Sequence, residues 1–412
     1  MKPGNPLSVP PFHDLILPDA GSHTARDILS LSLRRVLGEL RGVLRKAPQE
    51  PQEGAEAAAT LSALDELFGR LPGAVASVLR APTVGGPFRC LRSALGGDDR
   101  ARAVQLARTV RAQLAFALWS EGSLRAPLTL TQLPAQVLAP RANLGLDLRG
   151  VSAMVFDGPR LTVRRAEGEV TMTPDAAPEA PWVLRPYHPV TDRIALATAD
   201  NNPLSMFEAH PDKQGNAIDL GGRSADAWCE TLRACLDLVA RWLPDLRAEI
   251  DLFVHQFVPV GYDDHRHLSA SYQEAIGTIY LTLHPSLMTM TEAVVHEFSH
   301  NKLNALFELD PVLENAFWPL YTSPVRPDPR PLHGIVLAVH AFQPIARLYE
   351  RMIEAGDPLA KRGDFLQRYD KIRKINHDGA TVLFAHGKTT PAGRDLFDEM
   401  RRWDDHFGAP AA

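Results

Sequence analysis

Apolar residues recur at helical spacing through residues 22 to 46 (SHTARDILSLSLRRVLGELRGVLRK), after a start containing Ser and Thr. The same period returns around 57 to 80 and 98 to 119, and a polar, Pro- and Glu-rich connector (KAPQEPQEGAEAAA) follows the first stretch. From 126 to about 200 the texture changes to short runs of β-forming residues such as SAMVF, RLTVRR and EVTMT, cut by Gly, Pro and Asp. Helical spacing resumes over 224 to 246 (SADAWCETLRACLDLVARWLPDL). DLFVHQFVPV and GTIYLTL then read as strands. MTMTEAVVHEFSH enters another helix, with Thr289 or Thr291 as its cap and Glu292 in its first turn. A Pro-rich loop, PLYTSPVRPDPRPL, separates it from the long helical stretch GIVLAVHAFQPIARLYERMIEA. The last helical pattern, TTPAGRDLFDEMRRW, places Thr before a first-turn Pro. The pattern predicts an α+β protein, mostly α: a helical region over 1–125, a strand-rich middle over 126–220 and a helical C-terminal region over 221–412.

Composition narrows the class. Of 412 residues, 45% are hydrophobic and 23% charged, as in ordinary soluble globular proteins. A net charge of −5 argues against nucleic acid or an anionic membrane as partner. Arginine pairs such as Arg34-Arg35 and Arg164-Arg165 read as solvated helix faces. Cys90, Cys229 and Cys235 fit no zinc spacing and no disulfide framework, so free thiols are expected. The opening MKPGNPLSVPPF has no apolar signal core, and no run reaches the roughly 18 apolar residues of a spanning helix. A cytoplasmic location is expected.

The chemistry concentrates in VVHEFSHNKLNAL, where His296, Glu297 and His300 form H-E-x-x-H inside an apolar helical stretch. Residues four apart share a helix face, so both imidazoles can present nitrogens to one ion. In a zinc hydrolase Glu297 would be the general base that takes a proton from metal-bound water. The extended H-E-x-x-H-x-x-G-x-x-H is absent, because positions 303 and 306 are both Leu. Glu308 and Glu314 could supply a third ligand, but neither stands in a Glu-x-x-x-Asp setting. The alternative donors are His333 and His340, two turns apart on the following helix. His340 lies within the apolar run IVLAVHAF, where an unpaired imidazole is costly unless bonded or ligated.

Taken together, VVHEFSHNKL, YTSPVRPDPRPL and GIVLAVHAF resemble the HExxH-type, 2-oxoglutarate-dependent peptide β-hydroxylases, which modify ribosomally made peptides. The resemblance is firmest over about 250 to 350 and extends loosely to ATADNNPL (197 to 204) and the LFDEM tail. It implies iron(II) held by His296, His300 and His340, with 2-oxoglutarate and O2 as cosubstrates and a precursor peptide as the partner. It also implies hydroxylation at the β-carbon of a side chain. Imidazole suits both Fe and Zn, so ligand type does not choose the metal.

The far carboxylate of 2-oxoglutarate needs a cation or hydroxyl. Arg330 and then Arg326, on the Pro-rich loop, are the leading candidates, because a guanidinium grips a carboxylate through two bonds. An ion pair with Asp328 explains either arginine equally well. Ser269 and Ser271 alternate along LSASYQEAIG, so their hydroxyls should share one side. His255, His265 and His267 read as a surface cluster. Two other readings stay open: a zinc metallopeptidase with Zn(II) and Glu297 as base, and a non-catalytic peptide-binding protein.

Overall fold

The computed structural model describes residues 10–207 and 215–408. The first nine residues, where no export-signal core is read, lie outside them. Helix accounts for 53% and strand for 16%, so the chain is α+β and mostly α.

The front is helical: α1 (Thr24–Lys46), α2 (Gly54–Arg70), α3 (Pro72–Arg80), α4 (Pro82–Ala94) and α5 (Arg100–Ser120). The predicted stretch 57 to 80 is two helices because Pro72 opens a new one at its first position, where a missing N–H costs nothing. No helix is expected at α4, whose sequence begins PTVGGP. Its glycines serve contact: a Cβ on Gly85 would meet the Leu79 carbonyl oxygen at 2.6 Å.

The strand-rich middle comprises β1 (Leu128–Leu130), β2 (Gln136–Ala139), β3 (Leu144–Asp147), β4 (Val151–Asp157), β5 (Arg160–Arg165), β6 (Gly168–Met172), β7 (Val183–Leu184), β8 (Tyr187–Pro189) and β9 (Ala195–Ala197). Strands β1-β4-β5-β6 form one sheet and β2-β3-β7 another.

Then come α6 (Ala225–Trp242), α7 (Pro244–Phe253), β10 (Gln256–Tyr262), β11 (Ser269–Ala270), β12 (Thr278–Leu283) and α8 (Leu287–Phe307). Pro244 splits the predicted 224 to 246 helix, and residues 251 to 253, expected as strand, finish α7 instead. The chain continues with β13 (Leu320–Tyr321), β14 (Arg330–Pro331), α9 (Leu332–Glu354), α10 (Gly363–His386) and α11 (Pro391–Gly408).

The five-stranded sheet runs β11-β12-β10-β9-β8, with β10 parallel to both β12 and β9. Every residue of β12 is buried, as expected of a strand covered on both faces. One large core joins residues 12 to 28, α6, α7, this sheet and α8 to α11. A second joins the later part of α1 with α2 to α5 and β1 to β6. The three cysteines are free and buried. Among the described residues no helix is long and apolar enough to cross a membrane.

Candidate metal centre

Helix α8 starts one turn earlier than expected. Ser286, not Thr289 or Thr291, is the cap: its Oγ accepts the Thr289 N–H at 3.3 Å. Thr291 instead turns its hydroxyl back onto the Leu287 carbonyl at 2.8 Å. The helix packs against α9, α6, α1 and β12, which explains why nearly all of its faces are buried. Asn301 sets its depth, accepting the Gly277 N–H at 2.6 Å and donating to Glu297 O at 2.8 Å.

His296 and His300 sit one turn apart on α8, each half-buried, with ring centroids 4.4 Å apart at 71°. The His296 ring meets Phe342 of α9 edge-on at 4.9 Å. Desolvation pushes both imidazoles below their ordinary pKa, His300 well below. Both are therefore neutral at pH 7, the form that binds metal. His300 Nδ1 is buried with no hydrogen-bond partner.

His340 is buried on α9, and its Nε2 lies 3.0 Å from the Leu15 carbonyl oxygen. A carbonyl only accepts, so this nitrogen carries the proton and Nδ1 keeps the lone pair. That Nδ1 is also buried without a partner. Desolvation, then Lys302, the Leu15 contact opposing, and then His300 and His296 bring His340 down to about 3. His333, on the same helix, is half-buried, its ring 4.6 Å from that of Phe307 and 5.1 Å from that of Phe317. Among the described residues, no three His, Cys, Asp or Glu side chains converge as a ready-made ligand set.

Glu297 is buried at 3% exposure. Ser269 Oγ donates to its Oε1 and Ser271 Oγ to its Oε2, both at 2.7 Å. Ser269 is in β11 and Ser271 lies just past its end, and both hydroxyls meet on one carboxylate. Of the two candidate third-ligand glutamates, Glu308 is buried in an ion cluster with Arg89 (2.8 Å) and Arg92 (2.9 Å), and Glu314 is exposed.

The Pro-rich loop folds into a hairpin, with Tyr321 paired to Arg330. Arg326 and Arg330 both face Asp328, at 2.8 and 3.2 Å, as the loop ion pair also expected from the sequence. Just before this loop, Phe317 (70%) and Trp318 (76%) are exposed. The three histidines expected as a surface cluster separate: His265 is exposed, His267 lies 3.2 Å from Thr282 Oγ1, and His255 is half-buried, brought to about 3 by desolvation.

Two side chains near the motif, Tyr349 and Arg368, carry no sequence signal of their own and meet Glu292. Glu292, one turn before His296, accepts from Arg368 Nε at 3.0 Å and from the Tyr349 hydroxyl. They line a cavity of about 540 Å³ with Met288, Leu359 and Phe365. The i, i+4 spacing of Glu292 to His296 is visible in the sequence, but no pattern points from there to Arg368 on α10. Comparison with family models and with curated proteins found no match for this chain.

Proposed function

We propose that the protein is an iron(II)- and 2-oxoglutarate-dependent oxygenase that hydroxylates the β-carbon of a side chain in a ribosomally made precursor peptide. His296, His300 and His340 would hold the metal. The donor set fits: neutral imidazoles, two of which have a buried nitrogen with no partner, a cost that ligation removes. Bound iron(II), with 2-oxoglutarate and O2, supplies the oxidising chemistry that turns a C–H into a C–OH.

The observation that carries this reading over the peptidase is the placement of Glu297. A hydrolytic base must face a metal-bound water and take its proton. Here each carboxylate oxygen already accepts from a serine hydroxyl, and the residue is buried. Glu297 is better suited to holding α8 against β11, and with it the turn that spaces the two histidines. An oxygenase asks no more of it, because the oxidant comes from O2. Arg330 or Arg326 would take the far carboxylate of 2-oxoglutarate in exchange for Asp328. Peptide as substrate and 2-oxoglutarate as cosubstrate rest on the resemblance of the three sequence stretches.

The test is to incubate iron-loaded protein with 2-oxoglutarate and the precursor peptide encoded beside its gene, then weigh the peptide. A gain of one oxygen, with succinate formed in step, supports hydroxylation. Fragments would support the zinc peptidase, and an unchanged, bound peptide the non-catalytic reading.

A further inference from the structure

We infer that Glu399 is a positioning residue for the metal centre, acting through the peptide between Leu15 and Ile16 on His340. The inference rests on His340 being a ligand, as proposed above. Residues 12–17 form neither helix nor strand, yet Phe12, Leu15, Ile16 and Leu17 are only 1 to 6% exposed. Buried backbone groups need partners, and charged side chains from distant helices provide them.

Glu399 on α11 accepts three of these N–H groups: Leu15 at 2.6 Å, Ile16 at 3.1 Å and Leu17 at 3.3 Å. Asp395, one turn earlier, accepts the Phe12 N–H at 2.9 Å. Lys302 of α8 donates to Asp14 O at 3.0 Å while paired with Glu249 at 2.8 Å. The segment is clamped from both sides.

The Ile16 N–H and the Leu15 C=O belong to one planar peptide unit, so fixing the direction of one fixes the other. Glu399 grips the N–H, and the carbonyl accepts from His340 Nε2. That contact selects the tautomer with a bare Nδ1, and Nδ1 is the buried nitrogen without a partner. Ligating histidines usually donate their other ring N–H to a carbonyl or carboxylate, which sets ring orientation and basicity. No protein group bonds Nδ1, which leaves its lone pair available to a ligand.

The experiment uses the full chain labelled with nitrogen-15 at histidine, metal-free, read by two-bond proton–nitrogen correlation, with His340 assigned by its loss in His340→Gln. The expected wild-type result is a protonated Nε2 and a bare Nδ1 whose resonance moves when Zn(II) is added. In Glu399→Gln the tautomers mix and the Zn(II) dissociation constant rises on the order of 10- to 100-fold. Glu399→Asp, which keeps the charge, restores part of both. A His340 protonated on Nδ1 in the wild type overturns the inference. So does Glu399→Gln with unchanged tautomer and Zn(II) affinity while His340 still responds to Zn(II). If Zn(II) moves His296 and His300 but not His340, it is the ligand assignment that fails. Should Glu399→Gln not fold, Asp395→Asn loosens the same segment at Phe12, and an unchanged tautomer and affinity there count against the inference.

Discussion

The hydroxyl of Ser271 lies 2.7 Å from Oε2 of Glu297, matched by Ser269 on Oε1, so the residue between two candidate ligands is held from the sheet edge. A carboxylate used in this way can lose its charge without ending the reaction. Glu297→Gln is expected to keep its metal and part of its 2-oxoglutarate turnover, measured as succinate released. Complete loss of turnover with metal and fold intact would return Glu297 to the role of base. Ser269→Ala removes a charge-assisted bond and should cost about 1.5 to 3 kcal/mol of stability by denaturant unfolding.

Metal content should fall sharply in His296→Ala, His300→Ala and His340→Ala, and stay near wild type in His333→Ala. The reason is its ring neighbours: His333 packs 4.6 Å from Phe307 and 5.1 Å from Phe317, both tilted against it. Elemental analysis after equilibration with Fe(II) under anaerobic conditions reads the outcome. Full occupancy in His340→Ala together with loss in His333→Ala would transfer the third position to His333.

Arg330 and Arg326 already share Asp328, so a dicarboxylate arriving there has to displace a resident anion. Arg330→Ala should raise the 2-oxoglutarate dissociation constant roughly 10- to 150-fold, the equivalent of about 1.5 to 3 kcal/mol. Asp328→Asn should lower it, because the competing charge is gone. Anaerobic titration of the iron(II) protein, followed by its charge-transfer absorption, measures both. Wild-type affinity in Arg330→Ala and in Arg326→Ala would take the loop out of cosubstrate binding.

Glu308 offers a test of stability separate from the metal. Burial pushes its carboxyl up, but Arg89, Ser32 and Arg92 outweigh that and hold it below its ordinary 4.5. A carboxylate with a lower pKa in the folded chain stabilises fully above about 4.5, and the contribution is lost as pH falls below that value. Removing it strands Arg89 in the interior, so Glu308→Ala should cost about 3 to 5 kcal/mol. The variant's unfolding midpoint should also lose the acid-side slope that Glu308 gives the wild type, while metal content stays unchanged. A loss of metal in a folded Glu308→Ala would revive a glutamate ligand.

The parts of this site that are legible in the sequence are those with a period. His296 and His300 are one helical turn apart, and Ser269 and Ser271 one strand repeat apart, so spacing alone places each pair on a common face. The cap of α8 is not legible, because Ser286, Thr289 and Thr291 all have the right chemistry and only backbone geometry separates them. Helix α4 is hidden because Gly and Pro in PTVGGP argue locally against a helix that tertiary contact then enforces. Arg368 on Glu292 and Glu399 on the Leu15 backbone leave no trace at all. Contacts spanning 76 and 384 residues have no spacing to detect.

The clamp on residues 12–17 also makes the order of assembly matter. A helix such as α8 can form from local contacts alone, and with it the two-histidine turn. The contact between Leu15 and Glu399 joins positions 384 apart, and closures over such long separations come late, after the intervening chain has condensed. Closing so large a loop adds little to the entropic cost, since that cost grows only with the logarithm of length. If His296, His300 and His340 hold the metal as proposed, a nascent or nicked chain would carry two of these imidazoles without the third in register. Metal taken up at that stage would be bound weakly and released easily, so a tightly bound ion would mark molecules whose α11 has already docked.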